Sequence, residues 1–153
     1  MSNKNKLALS TLVALVIAPL SGLAALAKMP EVKLGNEVVK LEVASTDKEV
    51  QRGLMYRTNL PETQGMVFLF NPPRPVAFWM YHCFITLDML FIKGKIAKIS
   101  HNVPPCKSKI SSECPTYPAD GQIEVDQVIE VAGGYCERHG VKEGDSVSVD
   151  FAK

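Results

Sequence analysis

The sequence predicts a β-rich domain, between all-β and α+β, built on a mostly antiparallel, curled or barrel-like sheet with two short helices. Short segments in which apolar and polar side chains alternate recur along most of the chain, and this period of two is typical of strands. The segments are joined mainly by tight turns containing glycine. No regular alternation of strands and helices indicates a parallel sheet, so strands paired through turns are the expected architecture.

The first predicted elements are a hairpin and a helix. Residues 31–34 and 39–43 alternate around a turn at Gly35 and Asn36. Thr46 and Glu49 then form the pattern of a capping box, in which each side chain accepts a backbone N–H group at the start of a helix. The helix that follows is short, with Gly53 near its end.

Further strands are predicted beyond Gly65. Residues 66–70 are uniformly apolar, which indicates a strand covered on both faces, and the proline-rich residues 71–75 are expected to break it. The remaining predictions are a returning segment over 76–80, a hairpin of 87–92 with 96–99, a long irregular loop over 104–121, a strand over 127–131, a short helix over 135–139 and a last strand over 147–151.

The N-terminus has the features of a secretory signal peptide. Lys4 and Lys6 precede an apolar stretch over 7–20, and Ala25-Leu26-Ala27 supplies small residues where signal peptidase cleaves. We therefore predict a signal peptide over 1–27, a single domain over 28–153 and location in the periplasm or an equivalent compartment. The alternative is an uncleaved anchor, because the stretch approaches the roughly 20 residues that span a bilayer.

Charge limits the partners of this domain. Residues 28–153 carry 15 basic and 16 acidic side chains, a net charge of −1, with no basic stripe. This distribution argues against nucleic acid and against electrostatic attachment to a membrane. A small molecule or another envelope protein remains as the expected partner, and no cofactor is predicted.

Four cysteines lie in the predicted mature domain. An even number in an exported chain favours disulfides. Cys106 and Cys114 lie in one irregular segment and lack the short spacing of zinc knuckles, so we expect them to be bridged. A bridge between Cys83 and Cys136 would use the remaining two.

Five residues are candidate ligand contacts: Arg57, Trp79, Met80, Asp88 and Glu130. Asp88 lies inside an apolar strand, where an unpaired carboxylate is costly. Arg57 and Asp88 could form the polar floor of a cleft walled by Trp79. Alternatively, the two charged residues form a buried structural ion pair, which is the commoner arrangement for buried charges.

Several ordered motifs resemble the DUF192 family, also called UPF0127. They are Gln51-Arg52-Gly53-Leu54-Met55-Tyr56-Arg57, Gly65-Met66-Val67-Phe68-Leu69-Phe70, Phe78-Trp79-Met80, Leu87-Asp88-Met89-Leu90-Phe91-Ile92 and, toward the end, Cys114-Pro115 with Tyr117, Val128-Ile129-Glu130 and Gly140-Val141 with Gly144-Asp145. The resemblance covers roughly residues 38–151. It implies a compact β-rich domain, often exported in bacteria, without an established activity. Tyr81-His82-Cys83, Thr86 and Cys136 depart from the family pattern, so their roles are particular to this chain.

Three classes of function remain open. A non-enzymatic binding or accessory domain comes first, since the common nucleophile, phosphate-binding and metalloprotease motifs are absent from the sequence. A hydrolase-like enzyme using Asp88 and a histidine comes second. A copper-handling protein comes third, because soft ligands select Cu(I); its candidate ligands are Met80, His82, Cys83, Met89 and His101.

Overall fold

The computed structural model describes residues 28–151, so the predicted signal peptide lies outside the described part of the chain. The strands are β1 (Glu31–Leu34), β2 (Glu37–Ala44), β3 (Gln64–Val76), β4 (Phe78–Trp79), β5 (Leu87–Lys93), β6 (Lys95–Val103), β7 (Thr116–Tyr117), β8 (Ile123–Ala132) and β9 (Val149–Asp150). The helices are α1 (Asp47–Arg52), a 3₁₀ turn (Ser111–Glu113) and α2 (Tyr135–His139). The β-rich class with two short α-helices is confirmed.

Seven strands form one sheet in the order β6-β5-β8-β3-β2-β1-β9, and β4 pairs with β7 separately. Lys95 at the start of the edge strand β6 forms an isolated bridge with Ser146, which precedes the other edge strand β9, and the sheet does not close into a continuous barrel. One pair, β2 with β3, is parallel, which the sequence does not predict; α1 and the turns after it carry the chain back to the start of β3.

The proline-rich segment does not end β3, contrary to expectation. The strand continues to Val76 along β8, with a register shift between Leu69 and Arg74 that leaves four β3 residues opposite Asp126. A bulge takes up residues that cannot join the ladder, so prolines are tolerated there. The last strand is shorter than predicted, covering only Val149–Asp150.

Apolar side chains along the central strands point alternately to the two faces of the sheet, so the core consists of two clusters, one on each face. On the face that we call the α1 face, Phe68, Leu87, Met89 and Val128 pack with Leu54. On the opposite face, called the α2 face, Leu90, Ile129 and Val131 pack with Tyr135 and Cys136. Because successive side chains of a strand point to opposite faces, neighbouring residues of β5 and β8 belong to different clusters.

A helix cap and a disulfide fix the local structure around the α1 face. The predicted capping box forms, with the Glu49 N–H donating to Thr46 Oγ1 and the Thr46 N–H donating to Glu49 Oε2. Cys106 and Cys114 form a disulfide inside the long loop, directly before β7.

Within residues 28–151, no helix is long and apolar enough to cross a bilayer.

Candidate functional site

A cleft of about 240 Å³ opens on the α1 face. The C-terminal half of α1 and the turn after it form one side, and β4 forms the other. Phe68, Phe78 and Trp79 supply aromatic walls, while Cys83 and Glu130 provide polar atoms. Pairing of Phe78 with Tyr117 and of Trp79 with Thr116 holds the β4 wall against β7. An apolar enclosure with few polar groups is the usual composition of a small-molecule site.

Glu130 is the distinctive group of this cleft. It lies near the C-terminal end of β8, between Met66 of β3 and Met89 of β5, and is 4% exposed. Among residues 28–151 its carboxyl group forms no hydrogen bond and no ion pair, and its oxygens face the cleft. Burial raises the pKa of Glu130 to about 8. At neutral pH the group is therefore mostly a neutral carboxylic acid, which can both donate and accept a hydrogen bond.

Cys83 lies in the same cleft and is also protonated. Burial, with a smaller contribution from the Glu130 charge, raises the pKa of the Cys83 thiol to about 12. Since the thiolate is the reactive form, this cysteine is a poor nucleophile at neutral pH. Cys83 therefore contributes a neutral thiol to the cleft.

A row of rings continues the cleft wall onto the surface. The row runs through Trp79, Tyr81, His82, Tyr56 and Phe84, with successive ring centroids 5.9, 3.8, 5.0 and 6.1 Å apart. Tyr56 and Phe84 are 58% and 57% exposed. Tyr56 and His82 both have positive φ, at 65° and 55°, and the Tyr56 N–H donates to the His82 carbonyl at 2.8 Å. Strained backbone of this kind is commonest at functional sites.

Of the predicted contacts, Trp79 and Glu130 line the cleft, whereas Met80 and Arg57 do not. Met80 is 1% exposed and fills the core of the α1 face. Arg57 donates from Nη2 to Glu42 Oε2 at 2.6 Å, in a pair whose side chains are each about one third exposed. The suggested pair of Arg57 with Asp88 is therefore wrong, both as a cleft floor and as a buried ion pair.

Asp88 has a different role because it points to the α2 face. It is fully buried, and its carboxylate accepts the N–H groups of Asn102, Gly134 and Cys136 at 2.7, 2.9 and 2.8 Å. These contacts tie β6 and the start of α2 to β5. Met89, the next residue, faces the opposite cluster.

Cys83 and Cys136 do not form the second disulfide suggested by the sequence. Cys83 packs in the α1-face cluster and Cys136 in the α2-face cluster, so the sheet lies between them, and both are free thiols. The candidate copper ligands are not brought together. Met80, Cys83 and Met89 pack on the α1 face, and His82 lies in the surface row of rings. His101 lies with Asp88 and Cys136, and the ligand atoms of these three residues are all within 4.8 Å of one another.

Sequence reasoning missed Phe68 and Phe78 as cleft walls and His101 as the neighbour of Asp88. The two phenylalanines lie within motifs that carry the family resemblance, and their aromatic character was the only available signal. No local pattern links His101 to Asp88 or to Cys136, because their approach depends on strand pairing and on the position of α2.

The fold and cleft together define a small β-rich domain with an apolar pocket above a buried carboxylic acid. The DUF192 family model, described as "Uncharacterized ACR", matches residues 30–149, and the chain belongs to this family. No curated protein matches the chain significantly.

Two solved structures are similar over most of their length. A protein of unknown function from Novosphingobium aromaticivorans has 30% identity and a TM-score of 0.68, with coverage of 89% of this chain and 93% of that one. A protein from Sinorhizobium meliloti, described as a candidate transcription regulator, has 30% identity and a TM-score of 0.65, with coverage of 78% and 91%.

Proposed function

We propose that this protein is an exported, non-enzymatic binding protein whose cleft takes a small ligand with an apolar, preferably flat, body and a neutral hydrogen-bond acceptor. The single observation that carries the proposal is the Glu130 carboxyl group, which faces the cleft beside its aromatic walls, is 4% exposed and has no hydrogen-bond or ion-pair partner among residues 28–151. A ligand that enters the cleft shields this carboxyl group from water, so a ligand that also supplies a hydrogen-bond partner binds more tightly than one that does not.

The composition of the cleft favours this ligand over charged ones. A neutral acid has no fixed charge to attract an ammonium group, and Arg52 at the edge of the cleft opposes a cation. An anion would have to leave water for apolar walls. The volume lies below the roughly 300–1,000 Å³ of drug-sized sites, so a small molecule or the end of a longer one fits. The exposed ring row offers a surface on which the rest of a longer ligand could stack.

Export and ligand binding are mutually consistent but rest on separate observations. The signal-like residues 1–27 and the Cys106–Cys114 disulfide support an oxidising compartment outside the cytoplasm. A role in transcription, as described for the Sinorhizobium protein, is not proposed for this chain because residues 28–153 carry no basic stripe.

Export is tested by the mass of the protein recovered from the envelope of an expressing bacterium. We expect a polypeptide that begins at Lys28 and carries one disulfide, because signal peptidase cleaves after the small residues Ala25 and Ala27. A variant with Ala27→Lys serves as the control and should accumulate as the uncleaved chain. Recovery of the unmodified protein only in the cytoplasm, with all four thiols free, would contradict the proposal.

Ligand preference is tested with three probes that share one apolar body: phenylacetamide, phenylacetate and phenethylamine. Binding is followed by the fluorescence of Trp79, the single tryptophan of the chain, and by calorimetry. At pH 6.5 we expect the amide to bind about tenfold more tightly than either charged probe. This ratio corresponds to the net free energy of roughly one hydrogen bond. The affinity of the N,N-dimethyl derivative of the amide, which can only accept a hydrogen bond, should fall as the pH rises through 8, because ionised Glu130 no longer donates a proton.

Matched variants separate the head-group effect from simple apolar binding. Glu130→Leu should remove the preference for the amide, whereas Glu124→Gln, an exposed position on the same strand, should leave it unchanged. A tighter complex with phenethylamine, or no saturable binding of any probe, would refute the proposed ligand class.

A further inference from the structure

We propose that Asp88, His101 and Cys136 form a binding site for a divalent ion of the zinc type, on the face of the sheet opposite the cleft. The three residues come from β5, β6 and α2, and their ligand atoms lie within 4.8 Å of one another. Carboxylate oxygen, imidazole nitrogen and thiolate sulfur are together typical ligands of zinc, and three protein ligands leave a fourth position open.

The register of β5 and β6 explains how His101 reaches the site. Leu87 faces Val103 and Met89 faces Ser100, so Asp88 alone lies opposite His101 and Asn102. This is a β-bulge, a feature that re-aims side chains and is enriched next to functional sites. Asn102 adopts φ 49° and donates its N–H to Asp88 Oδ1 at 2.7 Å, and the neighbouring His101 is exposed at the surface.

The electrostatics of Asp88 also favour a cation. The carboxylate is fully buried, and no lysine, arginine or histidine among residues 28–151 forms an ion pair with it. Its partners are three N–H groups, two on Oδ1 and one on Oδ2, so Oδ2 retains a free acceptor site. A divalent ion with Asp88, a Cys136 thiolate and neutral His101 forms a site of zero net charge.

The step that forms the site is a simple exchange. Cys136 Sγ lies within 4.8 Å of the nearest ligand oxygen of Asp88. The entering ion takes the place of the thiol proton, forming a bond to Sγ, and the proton is released to solvent. A surface depression lined by His101 and Cys136 gives the ion a path, with Glu137 and Lys142 at its rim offsetting each other in charge.

The test is a titration of the purified protein, its disulfide intact, with Co²⁺ as a spectroscopic substitute for Zn²⁺. We expect one equivalent of Co²⁺ to produce a thiolate-to-cobalt charge-transfer band, and Zn²⁺ to abolish the band by displacement. Cys136→Ala should remove the band. His101→Ala, at an exposed position that is safe for folding, should weaken binding by at least about 100-fold, since loss of a ligand exceeds the loss of an outer-shell contact.

Two matched controls isolate the site. Cys83→Ala removes the other free thiol, and His139→Ala removes a histidine on the same side of the sheet; both should keep the band and the affinity. The inference is overturned if the wild-type protein shows no band, if the band survives Cys136→Ala in a folded protein, or if His101→Ala binds as tightly as the wild type. These outcomes are independent of the ligand probes above, which test the opposite face.

Discussion

Replacing Asp88 with alanine is expected to lower the free energy of unfolding by about 3–5 kcal/mol at neutral pH. The variant leaves the N–H groups of Asn102, Gly134 and Cys136 without their acceptor in a fully buried position. Each buried donor without a partner costs roughly 1–3 kcal/mol, although the three costs need not add. Urea unfolding, followed by circular dichroism in the presence of a chelator, measures the effect without any contribution from bound metal.

Arg57→Ala is the matched control for this experiment. Arg57 was the partner suggested for Asp88, but it pairs with Glu42 where both side chains are about one third exposed. Water screens such a pair, so its removal should cost less than about 1 kcal/mol. Losses of similar size in the two variants would contradict the assignment of Asp88 as the acceptor that holds β6 and α2.

The second large effect concerns pH. The stability of the wild-type protein is expected to contain a component from Glu130 that falls as the pH rises from about 4.5 to about 8. Over this range the folded protein keeps the Glu130 proton while the unfolded chain releases it, because burial raises the pKa from 4.5 to about 8. The folded state therefore binds more protons, and stability decreases with pH by roughly 1 kcal/mol per unit.

Glu130→Gln should remove this component. The variant should be more stable than the wild type by several kcal/mol at pH 8 and nearly equal to it near pH 4.5. The Cys83 thiol at the cleft does not produce this slope, since its pKa is about 12. Glu124→Gln on the exposed part of β8 is the control. Parallel stability curves for the wild type and Glu130→Gln between pH 5 and 8 would show that Glu130 is ionised in the folded state.

The sequence predicted the fold class and most elements because those depend on local pattern. The hairpins, the capping box at Thr46 and Glu49, and the apolar run before Asn71 all carry signals within a few residues. The parallel pairing of β2 with β3 has no such signal, since it depends on the path that α1 and the following turns take. The continuation of β3 through its prolines could not be predicted for a related reason. A bulge depends on how the strand pairs with its partner, here β8, and the local sequence does not specify that pairing.

The candidate site was predictable only in part. Glu130 was recognisable as an acidic residue in an apolar strand, and Trp79 as an aromatic residue in a family motif. The sequence shows that Asp88 must be satisfied but not by which groups, and the actual donors lie 14, 46 and 48 residues away. Arg57 and Asp88 carry opposite charges, but contacts across a sheet depend on which face each side chain occupies.

Successive side chains of β5 point to opposite faces of the sheet, and this restricts the sequence changes that the fold can accept. Asp88 serves one face and Met89 the other, so a single-residue insertion or deletion before Asp88 would exchange them. A charged group would then enter an apolar cluster, and a thioether would meet three unsatisfied N–H groups. Substitutions along this strand alter one face at a time, whereas a change in its length alters both. A change in the number of residues before Asp88 is therefore more damaging to the fold than a substitution of one apolar side chain of β5.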